Sequence, residues 1–252
     1  MDNNEIKLTH GGLCEGIGGF SLGAKRAGIR TVWFSENNNY KQNILSQHFP
    51  ETKLYGNIFK IKTPEKVDII SAGFPCTDTS IAGAGKGLFG DNSGLWVEVF
   101  RIIVETMPGY IVLENSPQLC KKGLEYILYD LSRIGYDAEW KCLQANQFGH
   151  RHKRKRFFII AYPMRRRTLS YACIFRSIPE VLPGIKQRDW TGQAYLPSLL
   201  KRFNRHSDTL SFRTNTRFSE GLDKAALHAI GDSLNVDIAQ YLFECIKIHA
   251  TL

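Results

Sequence analysis

Short apolar runs alternate with amphipathic stretches over residues 1–162 of this 252-residue chain. The runs that predict strands are rich in aliphatic and aromatic residues; they cover residues 30–35, 67–72, 110–113, 136–143 and 156–162. The stretches that predict helices carry apolar positions at helical spacing; they cover residues 20–28, 37–49, 95–104 and 123–134. Alternation of this kind predicts an α/β fold with a mostly parallel sheet.

The pattern breaks at Pro163, after which prolines and glycines interrupt any long element. Aromatic residues are interleaved with arginines there, which predicts a small irregular lobe over residues 163–225. Helical spacing returns over residues 236–249, with one apolar face formed by Ile238, Leu242, Cys245 and Ile246. The expected organisation is therefore a first domain at residues 1–162, the lobe, and a C-terminal segment at residues 226–252.

A glycine-rich turn follows residues 7–14, which predict the first strand of the chain, and precedes the first predicted helix. It contains Gly16, Gly18 and Gly19, and glycine lets a ligand approach the backbone closely. The next predicted strand ends at Glu36, where a carboxylate can accept hydrogen bonds from ribose hydroxyls. Strand, glycine turn and helix together are typical of a nucleotide-binding βαβ unit.

Two further predicted strands end in residues that can perform chemistry. Pro75-Cys76 follows residues 67–72, and Glu114-Asn115 follows residues 110–113. Taken singly, such a cysteine is more often a small buried hydrophobic residue, and such a glutamate is often only solvated. Because parallel strands meet at one carboxyl edge, the pair predicts a crevice with a thiol nucleophile and an acid. Covalent attack on an electron-poor ring needs these two groups.

The charge of the chain indicates a class of partner, and its cysteines and apolar stretches indicate its cellular setting. The net charge is +9 with a sequence pI of about 9.3, and residues 164–225 hold twelve Lys or Arg against five Asp or Glu. This excess favours a polyanionic partner, although a charge run is often only a solvated face. The six cysteines form no CxxC pair, so no zinc site or disulfide framework is expected. No apolar stretch is long enough for a membrane span and the N-terminus is polar, so a cytoplasmic setting is expected.

The series of motifs resembles the cytosine-5 DNA methyltransferase family, in particular its compact phage and prophage branch. The residues that carry the resemblance occur in the family's order; they are the turn from Gly16 to Phe20, Glu36, Gly56-Asn57-Ile58, Pro75-Cys76 with Ser80, Glu114-Asn115, the run from His152 to Arg156, and Gly231-Asp232-Ser233. Some positions depart from the family pattern; these are Cys14 and Glu15 in place of an aromatic and a small residue, Asn57 in place of Asp, Arg151 in place of Pro, and Asp232 in place of Asn.

The resemblance implies a Rossmann-like domain that binds S-adenosylmethionine (SAM) and a small target-recognition lobe. It assigns catalysis to Cys76, Glu114, Asn115, Arg154 and Arg156. It assigns the cofactor pocket to a larger set; these are Cys14, Gly16, Gly18, Gly19, Glu36, Asn37, Asn57, Ile58, Pro75, Asp232 and Ser233. The C-terminal helix is expected to pack back onto the first domain and complete this pocket.

The function that the resemblance implies is methyl transfer from SAM to carbon 5 of a flipped cytosine in double-stranded DNA. S-adenosylhomocysteine would be the product, with no metal. We expect a monomer without membrane contact, in a restriction-modification setting in a bacterial or phage-infected cell and associated with the nucleoid. The glycine-rich residues 81–91 are expected to form a mobile loop that closes over substrate. Two alternatives remain at this point, namely a tRNA cytosine-5 methyltransferase and an inactive module that binds DNA or senses SAM.

Overall fold

A single mixed sheet organises the part of the chain that the computed structural model describes, which is residues 7–74, 94–121, 123–150, 152–165, 174–175 and 234–251. Within these residues seven strands pair in the order β3-β2-β1-β4-β5-β7-β6. The strands are β1 (Thr9–Leu13), β2 (Arg30–Ser35), β3 (Lys53–Leu54), β4 (Ile69–Gly73), β5 (Tyr110–Asn115), β6 (Tyr136–Gln144) and β7 (Lys155–Pro163). The first five run parallel, whereas β7 is antiparallel to both β5 and β6.

Five α-helices cover the two faces of the sheet in the described residues. They are α1 (Gly19–Arg26), α2 (Asn39–His48), α3 (Gly94–Thr106), α4 (Leu124–Arg133) and α5 (Val236–Ala250). One core cluster joins α1 and α5 to the sheet, and a second joins α3 and α4 to its other face. The fold is therefore α/β with a mostly parallel sheet between helix layers, which confirms the predicted fold class.

The predicted helices and strands occur where the sequence pattern placed them, with ends that differ by up to about two residues. The short strand β3 and a 3-10 helix at Ile58–Lys60 were not predicted. Both lie in a polar stretch that is too short to show a periodicity of its own.

The C-terminal helix α5 packs closely against α1. The four apolar residues predicted on one face of α5 are all buried, from 0% exposed at Leu242 to 6% at Cys245. A Cβ on Gly23 of α1 would lie only 2.5 Å from the Cβ of Ala239. Glycine at this position therefore allows the two helices to cross at short distance.

Two residues from the expected lobe pack onto this core. Ile174 and Phe175 are buried in the cluster that contains α1 and α5. The backbone N–H of Ile174 donates to both carboxylate oxygens of Glu139 on β6, at 2.9 and 3.1 Å. These contacts place residues 174–175 against the sheet.

Candidate active site and cofactor pocket

The glycine turn between β1 and α1 adopts backbone angles that favour glycine. Gly16 and Gly18 have φ values of +65° and +94°, and Cys14 also has a positive φ of 53°. A Cβ on Gly18 would lie 2.8 Å from the ring of Phe49, so a larger residue would clash with the end of α2. No described atom lies within 4 Å of a Cβ built on Gly16. Among the described residues, the turn is thus packed against the end of α2 at Gly18 and borders open space at Gly16.

Glu36 at the end of β2 holds this turn. Its Oε2 accepts a hydrogen bond from the backbone N–H of Gly16 at 2.8 Å. Its Oε1 accepts from the N–H groups of Asn37 and Asn38, each at 2.9 Å. The carboxylate is only partly buried, so its remaining lone pairs can accept hydrogen bonds from ribose hydroxyls. Asn37 is exposed beside it.

Glu15 is buried inside the turn, with 5% of its surface exposed. Its Oε1 accepts from the N–H of Ser21 at 2.8 Å and so caps the first turn of α1. Its Oε2 has no hydrogen-bond partner among the described residues and occupies the space that a side chain on Gly12 would need. Burial raises the pKa of Glu15 to about 7. The sequence showed Glu15 only as a departure from the family, and it gave no sign of this internal cap.

A second turn, at residues 56–58, lies beside the end of β2. The hydroxyl of Ser35 donates to the carbonyl oxygen of Gly56 at 2.7 Å. The side-chain oxygen of Asn57 accepts from the N–H of Phe59 at 3.0 Å, which caps the 3-10 helix. Ile58 is buried at 4% exposure. The backbone of Asn57 and Ile58 is therefore held in a defined position next to the end of β2.

Glu114 at the end of β5 is held by an arginine. The Nε of Arg156 lies 2.8 Å from Oε1 of Glu114, and both side chains are mostly buried. Because β7 pairs directly with β5, the start of β7 reaches the end of β5. An adjacent guanidinium fixes the orientation of a carboxylate.

The run from His152 to Arg156 leads into β7. The carbonyl oxygen of Arg154 accepts from the N–H of Ala145 at 3.0 Å, and its N–H donates to Nδ1 of His152 at 3.4 Å. Burial, together with nearby His150 and Arg154, lowers the pKa of His152. Most of this run is exposed and basic, which gives the site a positive rim.

Asn115 holds the end of the neighbouring strand. Its side-chain Nδ2 donates to the carbonyl oxygen of Phe74 at 3.0 Å, and its Oδ1 accepts from the N–H of Ser116 at 2.8 Å. Asn115 is 2% exposed, so these bonds are shielded from water. Phe74 directly precedes Pro75-Cys76, and thus Asn115 fixes the position from which that segment starts.

The two halves of the site meet at Gly73, the last residue of β4. A Cβ built on Gly73 would lie 3.4 Å from Oε2 of Glu114, 3.7 Å from Cε2 of Phe20 and 3.9 Å from the carbonyl oxygen of Cys14. The acid of β5 and the glycine turn of β1 are therefore neighbours at one carboxyl edge of the sheet.

The N-terminus of α5 closes the glycine turn from another side. A Cβ on Gly19 would lie 2.9 Å from Cβ of Leu234, the residue that directly follows Asp232 and Ser233 in the sequence. Asp237 then accepts from Nη1 of Arg26 at 2.8 Å and contacts Nε2 of His150 at 2.7 Å. One carboxylate thereby connects α5 to α1 and to the loop before β7.

Several predicted site residues lie outside the described residues. They are Pro75, Cys76, Asp232 and Ser233, together with the expected loop at residues 81–91 and most of the expected lobe. Among the described residues, no group of three or more His, Cys, Asp or Glu side chains could hold a metal ion. Within the same residues no helix is both long and apolar enough to cross a bilayer.

The fold is shared with solved methyltransferases. A DNA modification methyltransferase encoded within an E. coli prophage superposes with a TM-score of 0.52 at 23% identity, covering 62% of this chain and 47% of that chain. DNMT2 from Spodoptera frugiperda gives a TM-score of 0.53 at 20% identity, covering 63% of this chain and 50% of its own. At this level of identity the likeness concerns the fold.

The family is shown by the sequence itself. The family model for C-5 cytosine-specific DNA methylases matches residues 8–180, and the chain belongs to this family. It is 37% identical over 154 residues to the type II methyltransferase M.CviJI of Paramecium bursaria Chlorella virus IL3A, a match that covers 59% of this chain and 41% of the relative. It is 33% identical over 157 residues to the type II methyltransferase M2.BsuMI of Bacillus subtilis strain 168, a match that covers 59% of this chain and 40% of the relative. The chain thus matches somewhat less than half the length of these curated relatives.

Proposed function

We propose that this chain is a DNA (cytosine-5-)-methyltransferase that modifies a flipped cytosine in duplex DNA with SAM as methyl donor. The observation that carries the proposal is the meeting of two sites at Gly73, where Oε2 of Glu114 and the glycine turn lie within 4 Å of one point. Methyl transfer requires a cofactor pocket and a base pocket that open onto each other. Family membership and the relatives named type II methyltransferases support the same reaction.

The cofactor pocket has residues that fit an adenosyl ligand. Glu36 would hold the ribose hydroxyls, Asn57 and Ile58 would contact the adenine, and the open space above Gly16 would take the methionine part. Cys14, Gly18 and Gly19 would shape the turn, with Asn37, Pro75, Asp232 and Ser233 at the rim. SAM would supply an electrophilic methyl group and leave as S-adenosylhomocysteine.

The chain's own groups would activate the base. The Cys76 thiolate would add to carbon 6 of cytosine, which makes carbon 5 nucleophilic. Glu114 would hydrogen-bond the exocyclic amine and ring nitrogen 3, where charge develops as the covalent bond forms. A base would then remove the carbon 5 proton, and elimination of Cys76 would restore the ring.

Three other residues would position these groups. Arg156 would keep Glu114 oriented, in line with their 2.8 Å contact. Asn115 would fix the strand end before Cys76 through the carbonyl oxygen of Phe74. Arg154 would contact the cytosine oxygen or a nearby phosphate from the basic rim. Since a stacked base is inaccessible, the target cytosine would have to flip out of the duplex.

Residues 163–225 are proposed as the target-recognition lobe, and residues 226–252 as the segment that returns to the catalytic domain. The lobe's excess of positive charge suits a duplex, because counterion release from phosphates contributes much of the affinity. We further propose a monomer that acts in the cytoplasm of a bacterial or phage-infected cell, near the nucleoid and within a restriction-modification context.

The test is incorporation of labelled methyl groups from SAM into duplex DNA, with tRNA as the alternative substrate. We expect labelled DNA, covalent trapping by duplexes that contain 5-fluorocytosine, and loss of both with Cys76→Ala. Cys120→Ala, which alters an exposed cysteine, is the matched control and should retain both signals. Label in tRNA alone would favour the RNA enzyme, whereas SAM binding without any transfer would favour the inactive module.

A further inference from the structure

Arg101 on α3 connects that helix to the 3-10 helix Ile58–Lys60. Its Nη2 donates to the carbonyl oxygen of Ile61 at 2.9 Å and makes a longer contact with the carbonyl oxygen of Ile58 at 3.5 Å. The sequence pattern predicts α3 only as a helix over residues 95–104, and nothing in the motifs drew attention to Arg101. The contact spans 40 residues of sequence and joins two separate elements.

Two acids on α3 orient the guanidinium. Oε2 of Glu98 lies 2.8 Å from Nε and 2.7 Å from Nη2, and Oε1 of Glu105 lies 2.8 Å from Nη1. Ion pairs within one helix contribute little to its stability. Their consequence here is geometric, since they leave Nη2 directed at the two carbonyl groups.

The contacted segment is a one-turn 3-10 helix that is capped at its C-terminal side by Ile61. The carbonyl oxygen of Ile58 already accepts from the N–H of Ile61 at 3.1 Å, so the bond to the carbonyl oxygen of Ile61 is the one that Arg101 adds beyond the helix end. Ser35 and Asn57 fix the N-terminal side of the same segment through Gly56 and Phe59. Arg101 supplies the corresponding hold on the C-terminal side. The turn that carries Asn57 and Ile58 is therefore held by hydrogen bonds at both ends.

Helix α3 also contacts the strand end that precedes the nucleophile segment. Trp96 packs on Phe74 with ring centroids 5.8 Å apart, and Phe74 directly precedes Pro75-Cys76. Both aromatic residues are in the core cluster that contains Ile58. One helix thus contacts the turn at residues 56–61 and the end of β4.

We propose that Arg101 is a positioning residue for the adenine end of the cofactor pocket, acting through the carbonyl groups of Ile58 and Ile61. The inference rests on the proposed function, because it assigns SAM to this pocket. Arg101 itself would not touch the cofactor. It would hold the backbone of Asn57 and Ile58 at the distance from Glu36 that an adenosine requires.

The first measurement is hydrogen–deuterium exchange of residues 57–61 in the cofactor-free chain. Arg101→Met removes every donor but keeps an aliphatic side chain, and we expect exchange in this segment to rise about tenfold, as for the loss of one charged hydrogen bond. Arg101→Lys should largely restore protection. Arg133→Met, the same substitution at an exposed arginine of α4, is the matched control and should behave as wild type.

The second measurement is SAM affinity by calorimetry in a double-mutant cycle. Arg101→Met should weaken SAM by about five- to tenfold, and its effect should be non-additive with Asn57→Ala but additive with Glu36→Ala. A role in global stability alone would give additive effects in both cycles.

Three outcomes would overturn the proposal. They are unchanged exchange at residues 57–61 in Arg101→Met, unchanged SAM affinity in that variant, and additivity with Asn57→Ala. If the wild-type chain binds no SAM, the proposed function fails and this inference fails with it. That case is distinguishable, because exchange at residues 57–61 would still respond to Arg101→Met.

Discussion

The buried Glu15 makes a quantitative prediction for stability against pH. Its carboxyl caps α1 from inside the glycine turn, and burial raises its pKa from the ordinary value of 4.5 to about 7. The folded protein therefore binds a proton that the unfolded chain releases between pH 4.5 and 7. The contribution of Glu15 to the free energy of unfolding is highest below pH 4.5 and falls as pH rises through this window.

The size of this contribution to the free energy of unfolding follows from the pKa shift of Glu15. A difference of about 2.5 pKa units corresponds to about 3 kcal/mol at 1.36 kcal/mol per unit. Most of this change, about 2–3 kcal/mol, falls between pH 5 and pH 8. Glu15→Gln removes the titration but keeps an oxygen that can cap Ser21. Its free energy of unfolding relative to wild type should thus increase by about 2–3 kcal/mol from pH 5 to pH 8.

Because the contribution of His10 to stability also changes with pH, the test must compare Glu15→Gln with wild type. Burial lowers the pKa of His10 from 6.5 to about 3, so its contribution to the free energy of unfolding rises between pH 3 and 6.5. The two residues oppose each other in the wild-type curve between pH 4.5 and 6.5. The contribution of His10 is common to wild type and Glu15→Gln and cancels in their difference.

The assay is urea unfolding at pH 5 and pH 8, followed by the fluorescence of the buried Trp33 and Trp96. With a urea slope of about 1–3 kcal/mol/M, the expected change is a shift of about 1 M in the difference between midpoints. Glu51→Gln, on an exposed carboxylate, is the control and should show no such shift. A difference for Glu15→Gln that stays constant with pH would refute the assignment of a buried, neutralised carboxyl.

Four other predictions concern the cofactor pocket, the packing of α5 and the DNA partner. Glu36→Ala should weaken SAM by about 1–3 kcal/mol in calorimetry, because it leaves ribose hydroxyls unpaired; unchanged affinity would exclude the ribose role. Asp237→Asn should lower the free energy of unfolding by about 1–3 kcal/mol, since Arg26 and His150 lose their shared anion, and an unchanged urea midpoint would contradict this. The affinity for duplex DNA should fall with salt concentration at a log–log slope of about −0.9 per phosphate contacted. Exchange of residues 164–218 for those of a relative should change the DNA sequence that is methylated. An active chimera that still methylates the original sequence would place specificity elsewhere.

Local pattern was sufficient to predict all the α-helices and all but one of the strands in the described residues. Apolar periodicity located the helices and strands, and the family motifs indicated which strand ends carry Glu36 and Glu114. The apolar pattern also indicates which of β6 and β7 is the inner strand, although no strand order was predicted from it. Residues 157–162 of β7 are almost wholly apolar and buried, whereas β6 mixes buried and exposed positions, as expected for an inner strand and an edge strand.

Contacts between distant residues needed the tertiary structure. The resemblance named Arg156, but its 2.8 Å contact with Glu114 depends on the insertion of β7 between β5 and β6. Glu15 can fold back because Gly12 leaves space for its carboxylate. Arg101 reaches Ile61 only when α3 packs beside the 3-10 helix. Periodicity reports which face of an element is buried, whereas these contacts depend on which elements lie side by side, and that is decided by the packing of the whole sheet and its helices.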